Sequence, residues 1–346
     1  MRAGTDVFDD ARLDDSAVML TADPRLRQLA EAGARVRREI GACGDVLATL
    51  NAEVRPRAVV TAGSDSRLLR AVLEPSCPVP FVAWPGPGLP GWAGTLDTVV
   101  VMAQTPGDEA ASSAVAEAVR RGCGLVVSAD PHAPVAELAA SRHTTLLPTS
   151  TGDSLAAAVV LLQAMHSLEL GPDVDGESVA AALDDVAVRC SPFCDTVHNP
   201  AKGLAVQLAD ANPLLWGGSV LAARAARRVA EAVRRSSGRS SLAADAEHLL
   251  PVLTASAPRD VFADPYDDAE AVTAPVLLVL DDGTQDAVVR EQRGRLAAAA
   301  ESHGLRVETL VSDYGAAIAR YASLLSQGSY AAAYLGIGLA SAGAEG

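Results

Sequence analysis

The chain has 346 residues, enough for two domains of ordinary size, and 49% of them are apolar, so it can bury a large core and is not a disordered protein. Aromatic residues are only 3%, which leaves Ala, Val and Leu to build that core and suits Ala-rich helices on Val/Leu strands. A net charge of −15 works against nucleic acid and anionic membrane surfaces as partners.

Taken in chain order, residues 1–20 are acidic and read as partly disordered or as an extended arm. Leu26, Leu29, Val36 and Ile40 recur at helical spacing, so residues 22–50 read as one or two helices, with Gly33 as the weak point. Short apolar strands are expected at Val59–Thr61, Pro80–Trp84, Thr98–Ala103, Gly124–Ser128 and Thr144–Leu147. Helices are expected at Leu68–Leu73, Asp108–Arg121, Ser154–Ser167 and Glu177–Cys190. The second half repeats the alternation. It has helices at Pro200–Ala209, Val220–Arg235 and Gln285–His303, and strands at Pro213–Trp216, Val276–Asp281 and Leu305–Val311. Two helices are expected from Tyr314 onward. Strands that are apolar throughout, separated by helices, predict parallel sheets covered on both faces. The organisation expected is an N-terminal arm with helices over residues 1–50, a first domain over 51–190 and a second over 191–346.

Two stretches share a layout that carries chemistry. Val59-Val60-Thr61-Ala62-Gly63-Ser64-Asp65-Ser66 and Pro213-Leu214-Leu215-Trp216-Gly217-Gly218-Ser219 are each a strand, a Gly/Ser turn and the start of a helix. A helix start presents unpaired N–H groups and the positive end of its dipole, which suits a phosphate. Other features leave alternatives open. The run of Arg224, Arg227, Arg228, Arg234, Arg235 and Arg239 is a solvated helix face, or else an anion-binding or intersubunit surface. Cys190, Cys194 and His198 recur at four-residue spacing, which would suit zinc on a helix face. Pro192 interrupts that segment, so a hinge loop with incidental thiols is the plainer reading and no metal is expected. Five irregularly spaced cysteines, with neither a leader nor a membrane-length apolar window, point to a cytoplasmic protein.

Three segments resemble the bifunctional phosphoglucose/phosphomannose isomerases of bacteria and archaea, in a divergent high-G+C branch. They are Asn199-Pro200-Ala201-Lys202-Gly203-Leu204-Ala205 ahead of Gly218-Ser219, Gly328-Ser329-Tyr330-Ala331-Ala332-Ala333-Tyr334-Leu335, and Leu89-Pro90-Gly91-Trp92-Ala93. The resemblance spans roughly residues 55–338. It implies an α/β protein of two tandem sugar-isomerase (SIS) domains, each a doubly wound parallel sheet flanked by helices. It also implies a homodimer acting on a phosphorylated hexose without metal or cofactor. Sugar-phosphate binding would fall to Gly63, Ser64, Ser66 and Thr105 in the first domain and to Gly218 and Ser219 in the second.

The chain departs from that pattern where the chemistry should lie. Asp65 replaces a glycine, and a carboxylate beside a phosphate costs on the order of one to several kcal/mol. The serine-rich second loop reads Ala103-Gln104-Thr105-Pro106-Gly107-Asp108, in which Pro106 lacks an N–H and Asp108 suits a helix cap. The catalytic arginine position reads Asp153-Ser154-Leu155, and the glutamate position reads Arg234-Arg235-Ser236-Ser237-Gly238. Glu247 and His248 are the candidate catalytic substitutes. These departures make a weakly active or non-catalytic sugar-phosphate binder the expected function. A working isomerase, interconverting mannose 6-phosphate or glucose 6-phosphate with fructose 6-phosphate, is the alternative. A structural role at a dimer interface is a third.

Overall fold

The structure is a computed structural model that describes residues 7–52, 54–63, 66–256, 274–312 and 315–339. It divides into two compact units: residues 32–181, and residue 182 onward together with the segment up to residue 31.

The elements run in chain order. A short 3-10 turn at Asp10–Leu13 precedes α1 (Ser16–Ala30). The unit of residues 32–181 then holds α2 (Ala32–Thr49), β1 (Val59–Ala62), α3 (Ser66–Leu73), β2 (Phe81–Trp84) and β3 (Thr98–Ala103). It continues through α4 (Glu109–Arg121), β4 (Gly124–Ala129), α5 (Pro134–Leu138), β5 (Thr144–Pro148) and α6 (Ser154–Ser167). Its five strands are all parallel, in the order β2-β1-β3-β4-β5. Val60, Ala62, Val99, Val101 and Val127 pack against α4 and α5 on one face. The alternate residues face the layer of α2, α3 and α6.

The chain leaves this unit along α7 (Gly176–Arg189). The other unit holds α8 (Pro200–Leu208), β6 (Asn212–Gly217), α9 (Val220–Ser237), β7 (Leu242–Ala243) and α10 (Ala246–Thr254). It ends with β8 (Pro275–Asp281), α11 (Ala287–Ser302), β9 (Val307–Val311) and α12 (Ala317–Leu339). Its four strands are parallel in the order β7-β6-β8-β9. Leu214, Trp216, Leu277 and Val279 pack on α10 and α11, while α9, with α12 and α8 behind it, covers the other face. Two parallel sheets flanked by helices are thus present, as the strand pattern predicts.

The structure corrects several expectations. Residues 1–6 of the expected arm lie outside the described residues; beyond them the 3-10 turn packs beside α12, with Asp9 N donating to Gly338 O at 2.9 Å, and from Ser16 the chain is helical. In place of two C-terminal helices there is one, α12, which buries Tyr330 to Leu335 without a break. Gly328 and Gly336 lie within this helix, and a side chain at either would strike α9: a Cβ on Gly328 would lie 2.3 Å from Val229 Cγ2, and one on Gly336 2.7 Å from Ser236 O. These glycines serve close helix packing. The short α5, β7 and α10 have no counterpart among the expected elements.

The chain's lone lysine organises the start of the second unit. Lys202 is 1% exposed, and its Nζ donates to Asp14 at 2.9 Å, Cys194 O at 2.7 Å and Pro192 O at 3.2 Å, 5.7 Å from the Tyr334 ring centroid. Tyr334 in turn donates to Cys190 O at 2.7 Å. Lys202→Met keeps the stem's volume and removes every donor, so it should cost about 2 kcal/mol in urea unfolding at pH 7. The hydrogen bond from Lys202, helped by one from Thr196, holds the Asp14 carboxyl below its ordinary value of 3.8. A lowered folded-state pKa stabilises above the ordinary value and loses that contribution as pH drops through the lowered one. The gap between wild type and Lys202→Met should therefore narrow below about pH 4; an unchanged gap at pH 3 would remove Asp14 from the account.

Candidate functional site

In open parallel sheets a ligand sits outside the carboxyl ends of the strands, where the strand order reverses. In the first sheet that point lies between β1 and β3, and in the second between β6 and β8.

At the first point, β1 ends at Ala62, registered with Val101 of β3. Gly63 follows at φ +94°, a left-handed conformation that glycine adopts freely, and its N–H donates to Trp84 O at 3.2 Å. Ser66 opens α3 and is 1% exposed, and its hydroxyl has no hydrogen-bond partner among the described residues. Thr61, the third residue of β1, is fully buried with its hydroxyl equally unpartnered. It alternates away from Val60 and Ala62, and so faces the side on which α3 and α6 lie. Buried hydroxyls usually find partners, and these two, one within β1 and one opening α3, have none among the described residues. Ser64 and Asp65 lie outside the described residues.

The second loop follows β3. Thr105 is exposed, and its carbonyl accepts from Asp108 N at 3.2 Å. Asp108 caps α4, accepting from Ala111 N at 3.0 Å. The structured residue of this loop is Gln104. Its Nε2 donates to Thr149 Oγ1 at 2.9 Å and Ser128 O at 3.2 Å, spanning the ends of β4 and β5.

A third turn is already filled from within. Glu39 of α2 is fully buried and accepts from Ser150 N at 2.9 Å and Thr151 N at 2.6 Å, ahead of α6. Asp153, at the position of the implied arginine, caps α6 and pairs with Arg35 at 2.8 Å. Burial, with the Glu39 charge second, pushes the nearby Cys43 thiol up to about 12.

The second switch point is built differently. Ser219 caps α9, accepting from Ala222 N at 3.0 Å, and donates its own proton to Asp282. Asp282 is 8% exposed, and the preceding Asp281 pairs with Arg293. The cavity here, bounded by Gly218, Asp282, Thr284 and Arg290 among others, measures about 30 Å³, room for a water or two and not for a sugar ring. A Cβ on Gly217 would fall 2.2 Å from Ala222 C, and one on Gly218 2.1 Å from Val289 Cγ1. The glycine pair lets strand and helix touch.

Glu247 and His248 sit exposed at the start of α10, and neither borders that cavity. Glu247 is 68% exposed and pairs with Arg295 at 3.1 Å. Several arginines of α9 are engaged, Arg228 and Arg235 with Glu231 on the same helix at 3.0 and 3.7 Å, and Arg227 with Asp245 at 3.7 Å and Arg234 with Ser241 O at 2.6 Å beyond it. Cys190 is fully buried, its thiol pushed up to about 12, whereas His198 is 79% exposed and bonded to Asp195 at 2.7 Å. No group of three or more metal-binding side chains forms among the described residues, and no helix among them is long and apolar enough to cross a membrane.

Comparisons place the fold. Residues 197–339 match the family described as the bacterial phospho-glucose isomerase C-terminal SIS domain. A comparison with curated proteins gives no match. Among solved structures, the C-terminal domain of glucosamine-fructose-6-phosphate aminotransferase from Francisella tularensis aligns with TM-score 0.63 at 11% identity, over 91% of this chain and 96% of that one. Tagatose-6-phosphate ketose/aldose isomerase from Escherichia coli aligns with TM-score 0.59 at 13% identity, over 91% and 92%. A glucose-6-phosphate isomerase like protein from Thermus thermophilus aligns with TM-score 0.54 at 18% identity, over 94% and 92%. At these identities the likeness establishes a phosphosugar-isomerase-like SIS fold.

The close approach at the second turn sets a test. Gly217→Ala drives a side chain into backbone and should cost about 3 kcal/mol. Gly203→Ala on α8, where a Cβ meets nothing within 4 Å, should gain roughly 0.5–1 kcal/mol from helix propensity. Thermal unfolding of the two variants side by side checks the contrast, and equal effects would refute the packing role.

Proposed function

We propose that this chain is a SIS-type protein that binds a phosphorylated hexose at the β1–α3 turn and converts it slowly or not at all. The observation that carries the reading is the buried, unpartnered hydroxyl of Ser66 at the start of α3, beside Gly63. A phosphoryl oxygen there would accept from that hydroxyl and from the first N–H groups of the helix, with the helix dipole in favour. The sugar-phosphate enzymes among the structural neighbours support the ligand class by name. Weak turnover is supported by the state of the candidate groups. A general base needs a pKa tuned by burial or neighbours, and Glu247 stands in solvent, paired with an arginine. Ser219, the second-half candidate, gives its proton to Asp282. In this reading Gly218 and Ser219 shape the second turn and hold no sugar phosphate. A homodimer follows from the resemblance, and five free cysteines fit a reducing cytoplasm.

Thermal unfolding with glucose 6-phosphate, mannose 6-phosphate and fructose 6-phosphate tests this directly. A ligand at a hundred times its Kd adds about 2.7 kcal/mol, a shift of several degrees. Ser66→Ala should abolish the shift, yet melt at or slightly above wild type without ligand, because it removes a buried group that has no partner. A variant that melts lower and keeps the shift would make Ser66 a structural residue. A coupled assay in which fructose 6-phosphate forms faster than about 1 s⁻¹ would replace the binder with an isomerase.

A further inference from the structure

Helix α9 reverses the charge balance of its chain. The chain carries 43 acidic and 28 basic side chains, yet α9 holds five arginines against one glutamate in 18 residues. Its buried Ala222, Ala226, Val229 and Val233 recur at helical spacing and fix one face to the core, which leaves the arginines to the rest of its surface.

In the second half of α9, Arg228, Glu231, Arg234 and Arg235 line an open groove of about 480 Å³. Arg228 Nη1 lies 3.0 Å and Arg235 Nη2 3.7 Å from the same oxygen of Glu231, so two cations divide one carboxylate. Arg234 donates to Ser241 O at 2.6 Å, a neutral acceptor that leaves its charge unbalanced. A fourth guanidinium comes from α1, where Arg25 donates to the hydroxyl of Ser236, the residue after Arg235. No acid other than Glu231 lines the groove among the described residues.

Local helix energetics explain part of this. An arginine in the last turn complements the helix dipole by roughly 0.3–1 kcal/mol, and one Arg–Glu pair along a helix adds about 0.2–0.5 kcal/mol. Neither effect explains a second cation on the same carboxylate, or Arg25 brought beside Arg235 from another helix, because like charges repel. A guanidinium presents five N–H donors in a planar fork that matches phosphoryl oxygens two at a time. The lining has no aromatic ring to stack on a base and no apolar side chain, so charge and donor number decide what fits.

We propose that this groove is a second ligand site, for a compact polyanion with two phosphoryl groups, of the pyrophosphate or bisphosphate class. Four guanidinium groups around one carboxylate exceed what a single phosphoryl group, about −1.5 to −2 at pH 7, neutralises. The site lies in the unit of the second sheet and is independent of the reading of Ser66.

Isothermal titration with pyrophosphate in buffer free of divalent cations tests the inference. Wild type should bind pyrophosphate about tenfold or more tighter than inorganic phosphate, and the affinity should fall as sodium chloride is added, because exposed charges are screened. Arg235→Ala should weaken pyrophosphate about tenfold, as loss of a charge-assisted hydrogen bond does. Glu231→Gln removes the carboxylate and should tighten it about threefold. The two side chains are 70% and 34% exposed, so both variants should fold, and opposite shifts are a result that helix stability alone does not give. No pyrophosphate binding by wild type, or shifts in the same direction or none in the two variants, would end the inference. Loss of pyrophosphate binding in Ser66→Ala would put the anion at the β1–α3 turn and end it too. Tighter binding of hexaglutamate than of pyrophosphate would make the groove a surface for an acidic protein and overturn the phosphoryl assignment.

Discussion

A helix that starts against a parallel sheet leaves several N–H groups without partners, and burial makes each of them costly until an acceptor is found. This requirement recurs at the strand-to-helix turns, and at several helix starts the chain meets it from its own side chains. Asp15 caps α1, Asp108 α4, Asp153 α6 and Asp286 α11, while Asn199 and Ser219 serve α8 and α9. Glu39 reaches from α2 to hold the turn ahead of α6. The acidic balance of −15 has a structural component on this view, because carboxylates are set where the fold presents helix starts.

That constraint explains why two similar sheets end in different sites. At the second switch point the acceptor is internal: Asp282 takes the hydroxyl proton of Ser219, and a cavity of about 30 Å³ remains. A phosphate brought there would meet a carboxylate already in place, with Coulomb repulsion on the order of one to several kcal/mol. At the first switch point the hydroxyls of Thr61 and Ser66 are buried and no described side chain supplies their acceptor. The two units share a strand–turn–helix plan, and the difference lies in whether the chain completes the hydrogen bonding by itself.

Much of this was legible in the residues. The strands Thr98–Ala103 and Pro275–Asp281 are apolar almost from end to end, so their burial on two faces and their parallel pairing followed from period alone. Gly63 and Ser66 were readable because a strand, a glycine at positive φ and a helix start have local signatures. What escaped depended on distant partners. α12 is one helix where two were expected, and its Gly328 and Gly336 make room for Val229 and Ser236 on α9, partners far off in the chain. α10 has Pro251 inside it, and β7 is two residues long, so neither carried a periodic signal. Gln104 and Asp282 gained meaning only when strand order brought them to a switch point. The one hint was positional: each is among the first polar residues after an apolar strand.

The same constraint bears on chemistry. A carboxylate that serves as a cap is turned toward the helix start it caps. Asp108 and Asp153 are both committed to helix starts. Moving a proton along a sugar needs a base that is free to accept it and partly shielded from water. Glu247 is free of the sheet but open to solvent, and Glu39 is shielded but has its oxygens engaged by backbone N–H groups. Neither combines the two conditions. A scaffold that satisfies several of its helix starts with its own acids removes those acids from proton transfer, while at the β1–α3 turn the buried hydroxyl of Ser66 is left without a partner among the described residues.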